Sequence, residues 1–390
     1  MIWVLIMLKY HRGQCHEYYK FNGCLDRYVS TFPRNPKEAQ ATMRKGRRCS
    51  SSKAFLEPIR HRSNLKVTKY STVNKILINP DTKTAYGVEF TKHNKRIQVL
   101  ALREVILSAG VYRIGTIVDG IWNWTKKAFI RTASPVSAVS YMAGRGPLTL
   151  PGGAVGLAFA RSSLASDDHS ATRPDIELVM GGGSLAGDLL GILRSLLGVT
   201  DQWYWKVYGS LPLNVRQNSF SINPVLIRPR SVGRLKLRTA NFTDPPIIHM
   251  NYFHDPKDLK ALVHGIRLTQ QVIGTSAFQR YATRLHTTPF PGCEKLQFDS
   301  DQYWECAIEQ TSITLDHQVG TCKMAAVDDK TGVVSPRLLV HNIRGLRVAD
   351  ASIMPRIPAA HTHAPVVMIA EKAADIIKED WGMRSNSIYD

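Results

Sequence analysis

The sequence has no apolar stretch long enough to cross a membrane. Its N-terminal run, MIWVLIML, holds eight apolar residues before Lys9, whereas a membrane-spanning helix needs about 20. The run also lacks the basic start and the small-residue cleavage site of a secretory signal peptide. The sequence therefore predicts no membrane span, and it contains no convincing signal peptide.

Cysteine is also scarce, which excludes a disulfide-dense scaffold. The six cysteines of the 390 residues are scattered: Cys15, Cys24, Cys49, Cys293, Cys306 and Cys322. No C-x-x-C pair and no H-E-x-x-H motif is present, so the usual zinc spacings are missing. Cys293 and Cys306 can form one bridge if the protein enters an oxidising compartment.

Acidic residues are few, with 31 Asp and Glu against 51 Lys and Arg, a formal net charge of +20. Such a surplus favours acidic partners such as nucleic acid or anionic lipid. The basic residues are dispersed, however, and RKGRR at 44–48 is the only dense cluster. No homeodomain, zinc-finger or RNA-binding signature accompanies it. The sequence therefore predicts a basic soluble surface and no nucleic-acid partner.

Alternating apolar residues after Ser63 predict several β-strands joined by tight turns. Among them, EVILSAG at 104–110 predicts a buried strand that ends at Gly110. A helix is predicted from Pro256 to Gly274, because Asp255 suits the N-cap and Pro256 the first helical position.

A glycine-rich segment at 174–197 imitates a dinucleotide-binding turn. A predicted strand precedes Gly181, Gly183 and Gly187, and an apolar stretch follows. The spacing is G-x-G-x-x-x-G, which is one residue too long, and no acidic strand end follows to hold a ribose. We therefore predict a flexible loop here rather than a cofactor site.

The segment LDHQVGTCKM at 315–324 brings His317 and Cys322 close together in sequence, and His361 and His363 follow before a helix predicted near Pro365. Residue types alone allow a structural histidine, a zinc site of these four residues, or a general base. A nucleophilic role for Cys322 is weaker, because it lies in a predicted strand without a basic neighbour. A neutral imidazole accepts a proton near pH ~6.5, and a helix N-terminus stabilises negative charge. The pattern favours chemistry in which a hydroxyl loses a proton and an acceptor gains charge.

The stretch DHQVGTCKM…GVVSPRLLVHNIRGLRVADASIMPRIPAAHTHAPVVMIAEKAADII, at 316–377, resembles the C-terminal signature of the glucose–methanol–choline (GMC) oxidoreductases, and their insect FAD-dependent glucose dehydrogenase branch in particular. Further blocks resemble the same family, at 47–56, 64–78, 87–110, 144–149 and 228–253. The resemblance implies an α/β fold, in which a partial FAD-binding, Rossmann-like domain is interleaved with an α+β substrate domain on an antiparallel sheet. The implied bounds are 1–38 unassigned, 39–135 partial FAD-binding domain, 136–310 substrate-binding domain, and 311–380 a return to the FAD-binding domain.

The resemblance also implies a function: FAD-dependent oxidation of a CH–OH donor, an alcohol or a sugar, with hydride transfer to flavin N5 and a quinone or oxygen as electron acceptor. It makes His317 the catalytic base and His361 the second catalytic residue. The cofactor-binding positions it implies are Val73, Gly110, Asp350, Ala351, Thr362, His363, Ala364 and Pro365. By analogy with secreted relatives, it implies an extracellular location.

The chain departs from the family pattern in three places. No G-x-G-x-x-G precedes Arg44, the segment 111–135 does not resemble the family's internal FAD-binding block, and the usual Asn-Thr-Asn is His-Thr-His at 361–363. A truncated member is therefore expected, with weak or absent FAD binding, reduced stability and exposed edges on strands such as 104–109. The alternatives are a non-catalytic remnant that serves as a binding or structural module, and a zinc-dependent hydrolase.

Overall fold

The computed structural model describes residues 49–110, 173–188, 197–212, 219–241 and 243–383, with shorter pieces at 3–5, 43–44, 47–48, 121–123, 139–140, 142–143, 154–164, 191 and 194–195. The predicted block 144–149 lies outside the described residues, as do 1–38 apart from 3–5 and 111–135 apart from 121–123. The described chain mixes helices with sheets and confirms the predicted α/β class.

Most of the strands are short. They are β1 Trp3–Leu5, β2 Met43–Arg44, β3 Arg47–Arg48, β4 Ser71–Ile78, β5 Ala85–Lys92, β6 Lys95–Leu100, β7 Val105–Ser108, β8 Ile121–Asn123, β9 Ala154–Ala160, β10 Ile176–Gly181, β11 Phe220–Leu226, β12 Arg234–Lys236, β13 Ile247–His249, β14 Arg284–Leu285 and β15 Leu346–Val348. The α-helices are α1 Asp201–Tyr208, α2 Pro256–Gly274, α3 Ser276–Gln279, α4 Asp301–Thr311 and α5 His363–Asp380. Short turns of other helix types cover Ser52–Leu56, Glu57–Ile59, Leu185–Gly187 and Ala351–Ile353.

The described strands include three sheets of three or more strands, two of them antiparallel and one with a parallel pair. An antiparallel sheet has the strand order β14-β8-β11-β10-β9, and β4-β5-β6 form an antiparallel meander. The third large sheet, β1-β7-β15, contains the parallel pair β7–β15. Strand β8 lies before residue 135, within the range assigned to the FAD-binding domain, yet it pairs with β11 of the larger antiparallel sheet.

Helix α2 lies on that antiparallel sheet and forms as predicted. The Asp255 carboxylate accepts a hydrogen bond from the Lys257 amide at 2.9 Å, and Pro256 begins the helix. Gly265 permits the close approach of helix and sheet, because a Cβ there would lie 2.8 Å from Cβ of Pro224 on β11. Leu262 of the same helix is fully buried, and its burial contributes roughly 2 kcal/mol to the free energy of folding.

The expectation of exposed edges on the strand at 104–109 is wrong. Strand β1 pairs antiparallel with one edge of β7, Trp3 lying opposite Ser108, and β15 pairs parallel with the other edge. Val105 and Ile106 are both buried. The N-terminal apolar segment supplies the missing hydrogen bonds to the β7 backbone, and an edge paired in this way is no longer open.

Three other local predictions have mixed outcomes. Directly after β10, residues 182–188 form a loop with one short turn at Leu185–Gly187, Arg194 and Ser195 are helical, and α1 starts at Asp201; whether the segment is flexible stays a prediction. The final helix starts at His363, two residues before Pro365. Cys322 lies in a turn rather than a strand. Sharp bends around Gly320, which has a φ of +93°, prevent an extended strand there.

Cross-links stabilise the C-terminal half. A disulfide joins Cys293 to Cys306 on α4, the one bridge that the sequence left open. The Arg347 side chain is buried and contacts Glu104 and Asp380, both at 2.5 Å, so it ties the end of α5 to the β7–β15 sheet. Among the residues that the structure describes, no helix is long and apolar enough to span a membrane.

Candidate active site

Three side chains from distant parts of the chain form one hydrogen-bonded row. Nε2 of His317 lies 3.0 Å from Nδ1 of His361, and Nε2 of His361 lies 3.1 Å from Oε1 of Glu177. The two imidazole rings are nearly perpendicular, with centroids 4.7 Å apart. The structure thus brings the two predicted catalytic histidines together and adds a carboxylate.

Strand β10 holds Glu177 within the antiparallel sheet. Glu177 is fully buried and lies opposite Phe159 of β9 and Val225 of β11. Within the described structure its second oxygen, Oε2, has no hydrogen-bond partner. A buried carboxylate requires a polar or charged partner, and His361 provides one.

The segment before His317 packs on the same sheet. Ile313 and Leu315 contact an apolar group that includes Val225 of β11. Asp316, directly before His317, has a φ of +60°, a left-handed conformation that bends the chain at this point. The Asp316 amide donates to Oγ1 of Thr314 at 2.8 Å. Apolar packing and this bend together direct His317 toward His361.

The residues after His317 are fixed to the turn that follows β15. The Cys322 amide donates to the Ser352 carbonyl at 2.9 Å, and the Met324 amide donates to the Ile353 carbonyl at 2.8 Å. Both sides of the His317 segment are therefore anchored, one to the antiparallel sheet and the other to residues 352–353.

The two histidines have opposite electrostatic environments. Burial, followed by the charge of His361, lowers the pKa of His317 to about 4. The hydrogen bond to Glu177 raises the pKa of His361 despite partial burial. The first proton that this pair binds is therefore held on His361, beside the carboxylate, and His317 stays neutral at physiological pH.

Neutral imidazole carries one ring proton, and this fixes the hydrogen-bond directions in the unprotonated pair. Since Glu177 is an acceptor, the proton of His361 sits on Nε2 and donates to it. Nδ1 of His361 then accepts from the Nε2 proton of His317. The free lone pair lies on Nδ1 of His317, which is the atom able to remove a proton from a bound hydroxyl.

Three of the predicted cofactor-binding positions lie together at the end of β7 and β15. The Gly110 amide donates to Oδ2 of Asp350 at 2.9 Å. Oδ1 of Asp350 accepts from the Ser352 amide at 2.8 Å, which caps the short turn that begins at Ala351. Gly110 has a φ of +76°, and among the described residues a Cβ there would meet nothing within 4 Å, so these residues leave space beside it.

The other predicted positions flank these residues. Thr362, His363, Ala364 and Pro365 form the first turn of α5, directly after His361. Val73 on β4 packs with the apolar group that contains Val105 of β7 and Leu346 of β15. Among the described residues, no group of three or more His, Cys, Asp or Glu side chains is placed to hold a metal ion.

Glu177 is the site residue that sequence reasoning missed. The signal was present, because a single carboxylate interrupts the apolar strand IELVMG at 176–181. An acidic residue in such a strand is rarely buried without a partner. Nothing local, however, identifies His361 as that partner.

Two family models match the chain. Residues 32–118 match the N-terminal profile of the GMC oxidoreductases, and residues 229–370 match their C-terminal profile. The chain belongs to the GMC oxidoreductase family.

The proteins similar to this chain include a glucose dehydrogenase and a choline dehydrogenase. The chain is 34% identical over 382 residues to glucose dehydrogenase [FAD, quinone] of Drosophila melanogaster, an alignment that covers 89% of this chain and 58% of that protein. It is 30% identical over 361 residues to mitochondrial choline dehydrogenase of Mus musculus, covering 86% and 57% respectively. The chain thus spans less than two thirds of the length of these relatives.

Solved structures of low sequence identity share the fold. A variant of formate oxidase from Aspergillus oryzae superposes with a TM-score of 0.69 at 21% identity, covering 87% of this chain and 64% of that one. Pyridoxine 4-oxidase from Mesorbium loti gives a TM-score of 0.62 at 20% identity, covering 86% and 62%.

Proposed function

We propose that this protein is an FAD-dependent oxidoreductase that acts on a CH–OH donor, an alcohol or a sugar, with His317 as the general base. The observation that carries the proposal is the row Glu177–His361–His317, which lies directly before the N-terminus of α5. Family membership and the glucose and choline dehydrogenases among the relatives support the donor class.

The residues present fit the flavin end of the cofactor. The first amides of α5 have no carbonyl acceptor within the helix, and their dipoles favour a group that gains negative charge. Open space beside Gly110, next to the capped turn at Asp350–Ala351, leaves room for a ligand against the backbone. Residues 110, 350–351 and 362–365 would hold FAD here. When bound, FAD supplies the acceptor for the hydride of the donor carbon.

The described side chains provide a path for the proton that the donor hydroxyl loses. The donor hydroxyl transfers its proton to Nδ1 of His317, whose lowered pKa keeps it neutral and ready to accept. The Nε2 proton of His317 then moves to Nδ1 of His361 along the 3.0 Å hydrogen bond. The imidazolium that forms on His361 is stabilised by ionised Glu177. General-base catalysis of this kind contributes roughly 10²–10⁴-fold to the rate.

We also propose a quinone as electron acceptor and an extracellular location. The quinone is supported by the Drosophila relative, a glucose dehydrogenase [FAD, quinone]. The location is supported by the Cys293–Cys306 disulfide and by Cys49, which is also disulfide-bonded, because such bonds persist mainly in oxidising compartments.

A visible absorption spectrum tests the proposal. Residues 1–390 are expressed, supplied with FAD, freed of unbound cofactor and then mixed with alcohols and sugars without oxygen. We expect a bound-flavin spectrum that bleaches with at least one donor. A protein that binds FAD but is reduced by no donor would contradict the proposed activity. The expectation of weak FAD binding stays a prediction, which the flavin content of the same sample tests.

A further inference from the structure

We infer that Asn223 determines donor specificity by accepting a hydrogen bond from a second hydroxyl group, remote from the one that reacts. The inference rests on the proposed function, because it places Asn223 in the same site as the Glu177–His361–His317 row. It narrows the donor to a molecule with at least two hydroxyl groups.

Strand register places Asn223 on the catalytic face of the sheet. Asn223 of β11 lies directly opposite Val179 of β10, two residues along from Glu177. Opposite residues in an antiparallel pair, and alternate residues of one strand, project from the same face. The Asn223 side chain therefore emerges on the face of Glu177, displaced along the strand by about 7 Å.

Hydrogen bonds fix which end of the Asn223 amide is available. The Ser221 hydroxyl donates its single hydrogen to the Gly183 carbonyl at 3.1 Å, so Oγ has only lone pairs left for Asn223. Nδ2 of Asn223 donates to that Oγ at 3.2 Å and lies 3.4 Å from the Val179 carbonyl. A flipped amide would set its oxygen against that carbonyl. Oδ1 is therefore the end that faces away.

Within the described structure, Oδ1 of Asn223 is buried and has no hydrogen-bond partner. A buried acceptor left unpaired is costly, so native structures pair nearly all of them. The Asn223 residue as a whole is partly exposed, so its side chain is not fully enclosed. A hydroxyl group is the donor that a CH–OH substrate brings to such an oxygen.

An apolar surface lies beside these polar atoms. Phe159 of β9 is opposite Glu177 on the same face, and 50% of it is exposed. An aromatic ring next to a few placed acceptors is the usual composition of a small-molecule site. The CH groups of a ring-shaped donor can pack on Phe159 while its outer hydroxyl reaches Asn223.

Asn74 offers a matched control. Its Oδ1 is also buried without a partner in the described structure, while Nδ2 donates to Oγ1 of Thr91 at 2.8 Å. Asn74 lies at a register shift of β4, in the separate β4-β5-β6 sheet. An unpaired amide oxygen is therefore not sufficient for a site, and the position of Asn223 on the face of Glu177 distinguishes it.

The test compares D-glucose with cyclohexanol, a ring of similar size that has one hydroxyl. KM and kcat are measured for both, and saturation-transfer NMR measures their binding to the full chain with its flavin reduced, so that no turnover occurs. We expect Asn223→Leu to weaken D-glucose binding and raise its KM roughly tenfold, the effect of one lost hydrogen bond. Cyclohexanol should be unaffected, and Asn74→Leu should change neither ligand.

Equal weakening of both ligands, or wild-type affinity for D-glucose in Asn223→Leu, would overturn the inference. Asn223→Ala replaces the leucine variant if that one does not fold. A wild-type protein that binds D-glucose no better than cyclohexanol would also overturn it. These outcomes leave the proposed function standing as long as some alcohol reduces the flavin. If none does, the proposed function fails, and the NMR comparison still decides the role of Asn223.

Discussion

Nε2 of His361 lies 3.1 Å from Oε1 of Glu177, although the two residues are 184 positions apart in the chain. The contact joins the antiparallel sheet to the segment that precedes α5. It holds His361 by one nitrogen and leaves the other for His317. The row therefore has a fixed order: the buried carboxylate is at one end, His361 lies in the middle, and His317 is at the other end.

Replacing Glu177 should change the titration of His361. The carboxylate is the largest cause of the raised pKa of His361, so Glu177→Gln should lower that pKa. NMR titration of the histidine ring signals checks the shift, with His249, exposed on β13, as an internal control. An unchanged His361 titration in the glutamine variant would show that the hydrogen bond is absent in solution.

Stability should depend on His317 between pH ~4 and ~6.5. The pKa of His317 is lowered to about 4 in the folded protein, against ~6.5 in the unfolded chain. In that window the unfolded state binds one more proton at this residue, so stability falls as pH falls, by at most about 1.4 kcal/mol per pH unit. Because His317 is partly solvated, the real slope is smaller.

Denaturant unfolding at several pH values measures this dependence. The difference between wild type and His317→Asn isolates the contribution of His317 from those of the acidic residues. We expect the variant to lose less stability than wild type between pH 6.5 and 4. Parallel curves for wild type and His317→Asn would contradict the lowered pKa.

The Cys293–Cys306 bond should stabilise the half of the protein that contains α4. The two cysteines are 13 residues apart, and closing a loop of this length contributes roughly 2–4 kcal/mol. The double variant Cys293→Ala/Cys306→Ala should lose about that free energy of unfolding. Cys322→Ser, which removes a free thiol, is the control. Equal stability of the double variant and wild type would show that the bond is not formed.

The buried Arg347 should be indispensable for the C-terminal helix. Arg347→Met leaves Glu104 buried without its cation and removes the main cause of the lowered pKa of Asp380. Breaking a buried pair on one side costs about 3–5 kcal/mol. A second change, Glu104→Gln, should recover part of the loss, because it removes the uncompensated charge. A double variant less stable than Arg347→Met would contradict a direct ion pair.

Local sequence signals predicted the parts of the site that lie within one segment. Asp255 and Pro256 identified the start of α2, and the resemblance of 316–377 to a known family identified His317 and His361. Both rest on residues close in sequence, where capping rules and motif spacing apply. The roles of the predicted cofactor-binding residues stay predictions.

Long-range pairing was beyond those signals. The partnership of Glu177 with His361 depends on how β10 pairs within its sheet, and a change of register by one residue would turn Glu177 to the other face. The pairing of β1 with β7 is likewise set by tertiary packing, which is why the expectation of an open edge failed. Periodicity identifies strands without naming their neighbours.

The most direct measurement is the rate of flavin reduction by an alcohol or sugar donor in the absence of oxygen, followed by stopped-flow absorbance in wild type, His317→Asn and the control His249→Asn. We predict equal flavin content in the three proteins. The reduction rate should be unchanged in His249→Asn and roughly 10²–10⁴-fold lower in His317→Asn. A His317→Asn variant that is fully flavinated and reduced as fast as wild type would contradict the role of His317 as the general base.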